Sequence, residues 1–467
     1  MKTANENSEK MTPLEKRASS GLASIFGLRM LGMFLILPVF ALYANHLPGG
    51  NDKTMVGLAL GAYGLTQALL QLPYGMASDR FGRKPVIYFG LLLFAIGSFV
   101  AASATNIQMI ILGRIIQGSG AISAAVTALL ADSTREEHRT HAMAMIGGTI
   151  GMTFAASLVL GPALYQFIGM PGIFALTGIL TLLAMAVVKW YIPDPPVSRF
   201  HSDAEANVAR LGEVLRNPQL LRLDFGIFSL HAAQMAMFVV IPFALEKTGH
   251  LDANHHWEVY LPVVVIAFIL MVPAIIYGEK KGRLKQVFVS GIALLLASQL
   301  GMAASMNAFW GIVASLTGYF IAFNVLEASL PSLISKIAPP TAKGTAMGVY
   351  NTAQSLGLFF GGAMGGWLSQ HAGFSAVYEF AAGIVVVWLL LALGMQPPPA
   401  VKTKMYHLGN ITPQQAKELL GRLRGVEGVF DVSIVAEEQI AILKVSQRGW
   451  DEAAAQQYLE GYANGIG

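Results

Sequence analysis

Gly75-Met76-Ala77-Ser78-Asp79-Arg80-Phe81-Gly82-Arg83-Lys84-Pro85 packs one acid and three bases into a short polar turn between two long apolar stretches. Two apolar helices joined by so tight a turn must return through the same bilayer as a hairpin. Both ends of that hairpin then lie on one face of the membrane, and because the turn is basic, that face is expected to be the cytoplasm. A basic turn alone is weak, since most are solvated loops. The order Gly75, then Asp79-Arg80, then Gly82-Arg83-Lys84 is more specific.

Composition agrees. Of 467 residues, 54% are hydrophobic and 12% charged, against about 25% charged in an ordinary soluble domain, and mean hydropathy is +0.55. The 49 glycines suit helices packed closely in lipid. Net charge is +4, without the basic patch of a nucleic-acid binder, so no nucleic-acid partner is expected. Cysteine is absent, which excludes disulfides, thiolate metal sites and cysteine nucleophiles. The polar first twenty residues lack a small-residue cleavage site, so no signal peptide is read.

Apolar runs long enough for a ~30 Å core fall at roughly 20–46, 54–77, 84–104, 107–131, 140–164 and 171–191, then at roughly 220–246, 257–278, 286–305, 307–335, 343–370 and 374–395. The reading is therefore an N-terminal six-helix bundle over 1–191, a cytoplasmic linker over 192–219, a C-terminal six-helix bundle over 220–396 and a small domain over 400–467. Pro193, Pro195 and Pro196 stop the sixth span, and Val208, Leu211 and Leu215 form an apolar face expected to lie on the membrane surface. With both termini inside, cytoplasmic segments hold twenty of the 31 Lys and Arg and external loops only Lys53 and Lys247. That asymmetry supports a multi-pass protein with both termini cytoplasmic. Tyr277-Gly278-Glu279-Lys280-Lys281-Gly282-Arg283-Leu284-Lys285 repeats the basic turn in degraded form after the eighth span.

The turn from Gly75 to Pro85 resembles the signature loop between the second and third helices of the major facilitator superfamily. The resemblance implies an all-α membrane protein of twelve transmembrane helices in two parallel six-helix halves, with a cavity between them that opens alternately to each side. Glycines recur every four residues at Gly57 and Gly61, Gly147 and Gly151, and Gly357, Gly361 and Gly365, a spacing that lets backbones approach closely. Static packing would explain them equally well. By resemblance, helices 2 and 11 form one moving seam between the halves, and helices 5 and 8 the other.

In that setting Gly75, Asp79, Arg80, Gly82, Arg83 and Asp132 are expected to form a conformational latch. Asp79 ends helix 2, and the free amides of Gly344-Thr345-Ala346 at the start of helix 11 carry partial positive charge, so the carboxylate could dock there. The resemblance also implies that Arg83 pairs with Asp132. Topology alone would account for the bases, less well for the acid. In helix 4, Arg114-Ile115-Ile116-Gln117-Gly118-Ser119-Gly120 resembles the superfamily's helix-4 arginine motif, which in the family serves proton coupling. Snorkelling to the outer headgroups is the alternative for Arg114. Gln117 shares its face. Arg29 and Leu31–Pro38 in helix 1 follow a pattern of family exporters. In helix 5 only Gly161-Pro162 survives of the antiporter motif, which leaves symport open.

A coupling proton needs an intramembrane carboxyl. Asp79, Asp132, Asp224 and Glu279 sit at cytoplasmic helix ends, Glu246, Glu258 and Glu379 at or near external ones. Glu327 remains, eight residues and ~12 Å from the nearer end of its helix. Asn324 lies one turn before it. His231 is the second candidate, with a packed, neutral imidazole as its simpler reading. Arg29, at similar depth, could instead be a fixed partner of Glu327, because buried ions usually pair.

After Pro397–Pro399 the pattern becomes β-α-β-β-α, with strands at Lys402–Leu408, Val429–Val435 and Gln439–Val445 and helices at Pro413–Arg424 and Trp450–Tyr462. This is similar to a ferredoxin-like α+β domain of the heavy-metal-associated type, notably through Leu423–Val429. The Cys-x-x-Cys of such domains is replaced by Leu408-Gly409-Asn410-Ile411, which rules out thiolate metal transfer, and the last strand of the fold is not found. The whole chain resembles bacterial drug:proton antiporters of the superfamily that carry such a tail. It is read as a proton-coupled secondary transporter of the inner membrane that exports small amphipathic organic compounds, with no cofactor, no metal and no catalytic site. Its partners are substrate, protons and lipid, with self-association or loop docking for the tail. The alternatives are a solute–proton symporter and a transporter-like sensor signalling through the tail.

Overall fold

The computed structural model describes residues 11–194, 208–397, 401–436, 439–446 and 449–463. Pro195, Pro196, Pro398 and Pro399 lie outside the described residues, as do residues 464–467, where a last tail strand would be sought.

The first helix, α1 (Pro13–Leu35), begins at a capping box: the Thr12 hydroxyl accepts from Glu15 N, and Thr12 N donates to the Glu15 carboxylate. Pro38 interrupts the span, which resumes as α2 (Phe40–Ala44). The hairpin follows as α3 (Lys53–Phe81) and α4 (Arg83–Ala102). The fourth span, expected to be continuous, is split into α5 (Ile107–Gly118) and α6 (Ser123–Asp132). Its glycines are the reason: a Cβ at Gly118 would strike the Tyr63 carbonyl, and one at Gly120 the Gly90 carbonyl.

The helical stretch α7 (Glu136–Trp190) breaks at Gly169, φ 62°. Unbroken, its 55 residues would measure about 80 Å at 1.5 Å per residue, far beyond one ~30 Å core. Its two arms instead lie side by side on α1. Positions Gly27, Gly32 and Gly21 meet Thr149, Thr177 and Ile192 in turn, so one arm runs with α1 and the other against it. These arms are the fifth and sixth spans.

A turn at Val208–Arg210 leads into the short α8 (Leu211–Leu215). Of the stripe expected on the membrane surface, Leu215 is exposed and Leu211 half-buried, while the neighbouring Val214 is buried. The second half comprises α9 (Pro218–Gly249), α10 (Trp257–Lys280), α11 (Leu284–Ala304), α12 (Phe309–Ile337), α13 (Lys343–His371) and α14 (Phe374–Leu393). Ten stretches among the described residues are long and apolar enough to cross a membrane. One of them is the doubled α7, and glycine-rich α13 is the further span, giving twelve.

The two halves repeat one another in their fastenings. Lys84 Nζ donates to the Ile192 carbonyl at 2.9 Å, and Lys285 Nζ to the Leu393 carbonyl at 3.0 Å. Arg17 caps the sixth span through the Trp190 carbonyl, and Arg222 caps the twelfth through Gly394. In each half a cation near the basic turn and another near the first span of that half hold the C-terminal carbonyls of the last span, where the helix dipole favours positive charge.

The tail is β1 (Val401–His407), α15 (Pro413–Arg424), β2 (Val429–Val435), β3 (Ile440–Ser446) and α16 (Glu452–Ala463). Its antiparallel sheet has the order β1-β3-β2, and Leu419, Leu423, Val432, Leu443 and Leu459 fill its core. It touches the membrane part where Lys444 Nζ donates to the carbonyls of Lys336, at 2.9 Å, and Ala338, the last acceptors of α12.

Candidate functional site

At the basic end, the α3–α4 turn needs Gly82, whose φ of 93° an L side chain rarely adopts. It turns Arg83 inward, where the guanidinium is nearly enclosed. Arg83 donates to Asp132 at 3.1 Å, to Ser78 Oγ at 2.9 Å and to Asp79. The structure thus joins Arg83, Asp79 and Asp132, tying the ends of α3 and α6 together. Asp79 differs from expectation: among the described residues its carboxylate bonds to Arg83, not to the α13 amides. An adjacent guanidinium outcompetes a helix terminus for the same oxygen. Arg80 lies outside this cluster, stacked over Phe81 at 5.4 Å, and a Cβ at Gly75 would make only an ordinary contact with Ala124.

Two guanidiniums are buried inside the first half. Arg114 is 1% exposed and donates to the carbonyls of Ala59 and Leu60 at 3.2 and 3.3 Å and to Gln117 at 2.9 Å. Gln117 in turn donates to Ser98 at 2.8 Å. Arg114 therefore does not snorkel. Arg29, equally buried, donates to Tyr63 Oη at 2.7 Å and the Gly120 carbonyl at 3.1 Å, and lies over the Phe94 ring at 5.2 Å. It does not pair with Glu327. Burial of both charges is offset by carbonyls and aromatic faces on helices of the same half.

Glu327 finds its company in the second half. Gln354 Nε2 lies 2.8 Å from His231 Nε2 and 3.5 Å from Glu327 Oε1, and His231 Nε2 is 3.9 Å from Glu327 Oε2. His231 Nδ1 is 3.2 Å from the Ile227 carbonyl, a pattern satisfied when Nδ1 carries the proton and Nε2 accepts from Gln354. The His231 side chain is 7% exposed and that of Glu327 35% exposed; Glu327 Oε2 is buried and, among the described residues, has no hydrogen-bond partner, so the carboxyl is partly open and only partly satisfied. Phe323 and Phe320, one and two turns before Glu327, meet Phe154 of the other half at 5.6 and 6.2 Å. Glu327 therefore faces across the division between the halves. Asn324 is half-buried one turn away. Sequence reading missed Gln354, whose position opposite Glu327 no periodicity reveals. It placed Asp224 near a helix end, as found, but gave no sign of its burial. Asp224 is 6% exposed and, among the described residues, neither oxygen has a hydrogen-bond partner.

The halves meet tightly at the end opposite the basic turn. Gly57 and Gly61 of α3 press on Gly362, Gly366 and Phe359 of α13. Lys53 N donates to Gln370 at 3.0 Å, and its ammonium lies 4.3 Å from the Phe374 ring and 5.7 Å from Phe243. The ladder on α13 makes the close backbone approach its spacing allows, but as packing within its own half. Gly357, Gly361 and Gly365 face Phe228, Ala232 and Ala236 of α9, within their own half, and Gly362 and Gly366 make the seam. A single residue of offset, about 100° around the helix, moves the contact from one neighbour to the other. The α7 ladder is corrected: a Cβ at Gly147 or Gly151 would meet nothing within 4 Å.

A family model described as Major Facilitator Superfamily matches residues 22–357 and 263–420. Inner membrane transport protein YajR of Escherichia coli (strain K12) is 43% identical over 443 residues, covering 95% of this chain and 97% of that protein. Multidrug resistance protein MdtH of Aeromonas hydrophila subsp. hydrophila is 26% identical over 352 residues, 73% of this chain and 85% of that protein. Among solved structures, a bacterial homologue of the human lysosomal transporter Spinster superposes with a TM-score of 0.65 at 13% identity, over 82% of this chain and 97% of that one. At that identity the likeness concerns the fold. With the hairpin, the repeated half and these matches together, the chain belongs to the Major Facilitator Superfamily of membrane transport proteins.

Proposed function

We propose that the protein is a proton-coupled secondary transporter of the bacterial inner membrane, with both termini in the cytoplasm, that exports small amphipathic organic compounds by alternating access. The observation that carries this reading is the trio of Glu327, Gln354 and His231, which sets an accessible carboxyl beside an aromatic wall that both halves share. Such a carboxyl can exchange a proton for an organic solute held against the rings. The names of the relatives, an inner membrane transport protein and a multidrug resistance protein, favour the same location and direction. The closed end with Lys53 would be external, and the unpacked α7 ladder would mark the side open to the cytoplasm. Arg114 and Gln117 would sense the proton's arrival through the first half. On closure of the cytoplasmic side Asp79 would exchange Arg83 for the α13 amides, with Gly75, Arg80, Gly82 and Asp132 framing the latch.

Glu327→Gln keeps the shape and removes the titrating proton. Flux driven by a pH gradient in proteoliposomes should fall by about a hundredfold or more, the lower end of the range for loss of a proton-transfer group, while counterflow at equal pH and the melting temperature are retained. Unchanged gradient-driven flux would reject Glu327 as the carrier. Docking of the tail at the end of α12 favours one second reading, a transporter-like sensor. Binding without any counterflow would select it.

A further inference from the structure

We propose that the groove between the two ends of the first half's outer helices is a binding site for the phosphate headgroup of an anionic phospholipid. At the basic end, a cavity of about 540 Å³ opens between the first turns of α1, the start of α7 and the end of its second arm, lined by Lys16, Arg17, Ser20, His141, Met145 and Tyr191. Lys16 and Arg17 bring two positive charges to it, and His141 an imidazole. The nearest acid of α1, Glu15, is turned away and saturated: it accepts from Arg135 N, Nε and Nη2 at 2.8, 2.9 and 3.1 Å. Among the described residues Lys16 pairs with no carboxylate, so the groove keeps its positive potential.

Its polar wall is organised. Arg17 donates to the Trp190 carbonyl at 2.9 Å and lies 5.2 Å over the Tyr191 ring, and Ser20 Oγ is 3.2 Å from Tyr191 Oη. Two hydroxyls and a guanidinium are thereby set on one side of the cavity. Exposed apolar side chains stand next to the lining in the chain, Leu14 beside Pro13 and Trp190 beside Tyr191, 63% and 71% exposed, and Trp and Tyr at such a level mark the membrane interface. A cationic, hydroxyl-lined groove flanked by exposed apolar groups at the ends of spanning helices matches a headgroup with acyl chains running beside it, because both parts of the lipid are then met. A soluble phosphate would use the cations and leave the apolar groups unexplained.

The test is native mass spectrometry of the full chain in detergent, titrated with phosphatidylglycerol and with phosphatidylcholine. Phosphatidylglycerol should bind more tightly, and Lys16→Gln should weaken it about fivefold, the share of one interfacial cation, without weakening phosphatidylcholine. Lys16→Gln breaks no hydrogen bond of the fold, so a loss of binding is not a loss of folding; adding Arg17→Gln should remove the rest of the preference. Arg216→Gln, the same charge change at an exposed site elsewhere on the basic face, should leave binding unaltered. Equal binding of the two lipids, an equal loss in Arg216→Gln, or displacement of phosphatidylglycerol by excess inorganic phosphate would each overturn the assignment.

Discussion

At the scale of single residues, the chemistry of the central division rests on what each buried ion finds within reach. Glu327 was visible in the sequence because it is a carboxyl in the middle of an apolar span. Its partner Gln354 was not, because a neutral amide on a different helix leaves no trace in hydropathy. Arg29 and Glu327 lie at like depth yet do not meet, and depth alone cannot say which helix a side chain faces. Asp224 is the clearest case. Placed by counting at a helix end, it is enclosed with no donor on either oxygen, where a full negative charge would be costly. Asp224→Asn keeps the volume and removes that cost, so the melting temperature in detergent should stay level or rise by a few degrees, as expected for a change of about 1 kcal/mol. A fall of several degrees would mean that Asp224 holds a needed charge.

At the scale of elements, the seams are decided by carbonyls meeting bare Cα atoms. In Gly362→Ala the new Cβ would strike the Gly57 carbonyl, forcing α3 and α13 apart at a cost of about 1–3 kcal/mol. The chain lacks cysteine, so a cysteine introduced near Lys53 is a clean reporter: its labelling should rise several-fold in Gly362→Ala. Gly151→Ala meets nothing within 4 Å; it should leave labelling unchanged and stabilise the helix by about 1 kcal/mol at most. Equal effects of the two would refute this assignment of the seam. Both glycines belong to ladders of the same period, so the sequence could not distinguish them. The split of the fourth span has the same origin, since Gly118 and Gly120 yield helix continuity to contact with α3 and α4.

At the scale of the whole molecule, the tail is held by Lys444 against the last carbonyls of α12. Burial pulls the Lys444 ammonium down from 10.5 to about 8, with Lys343 adding to the shift and Asp431 opposing it. Between those values a free lysine keeps its proton and a docked one gives it up, so docking releases a proton and should tighten as pH rises from about 8 to 10.5, being independent of pH below that window. Protection of the backbone amides near Lys336–Lys343, measured against their intrinsic exchange rate at each pH, should rise accordingly. Lys444→Met should quicken exchange there several-fold, since it removes the donor to two carbonyls and a hydrogen bond contributes about 0.5–1.5 kcal/mol. Exchange insensitive to both changes would mean that the tail does not dock through this residue. What the sequence determined by itself was the count of the spans, the hairpin with its basic turn, the tail's order of strands and helices, and Glu327 as a carboxyl within a span; each follows from local hydropathy, charge and turn chemistry. What only tertiary structure decided was which face of each helix meets which neighbour: Gly362 in place of Gly361 at the seam, Gln354 beside Glu327, Asp79 on Arg83, Lys444 on α12. A rotation of one residue about a helix axis changes all of these contacts while leaving every local pattern in the chain the same.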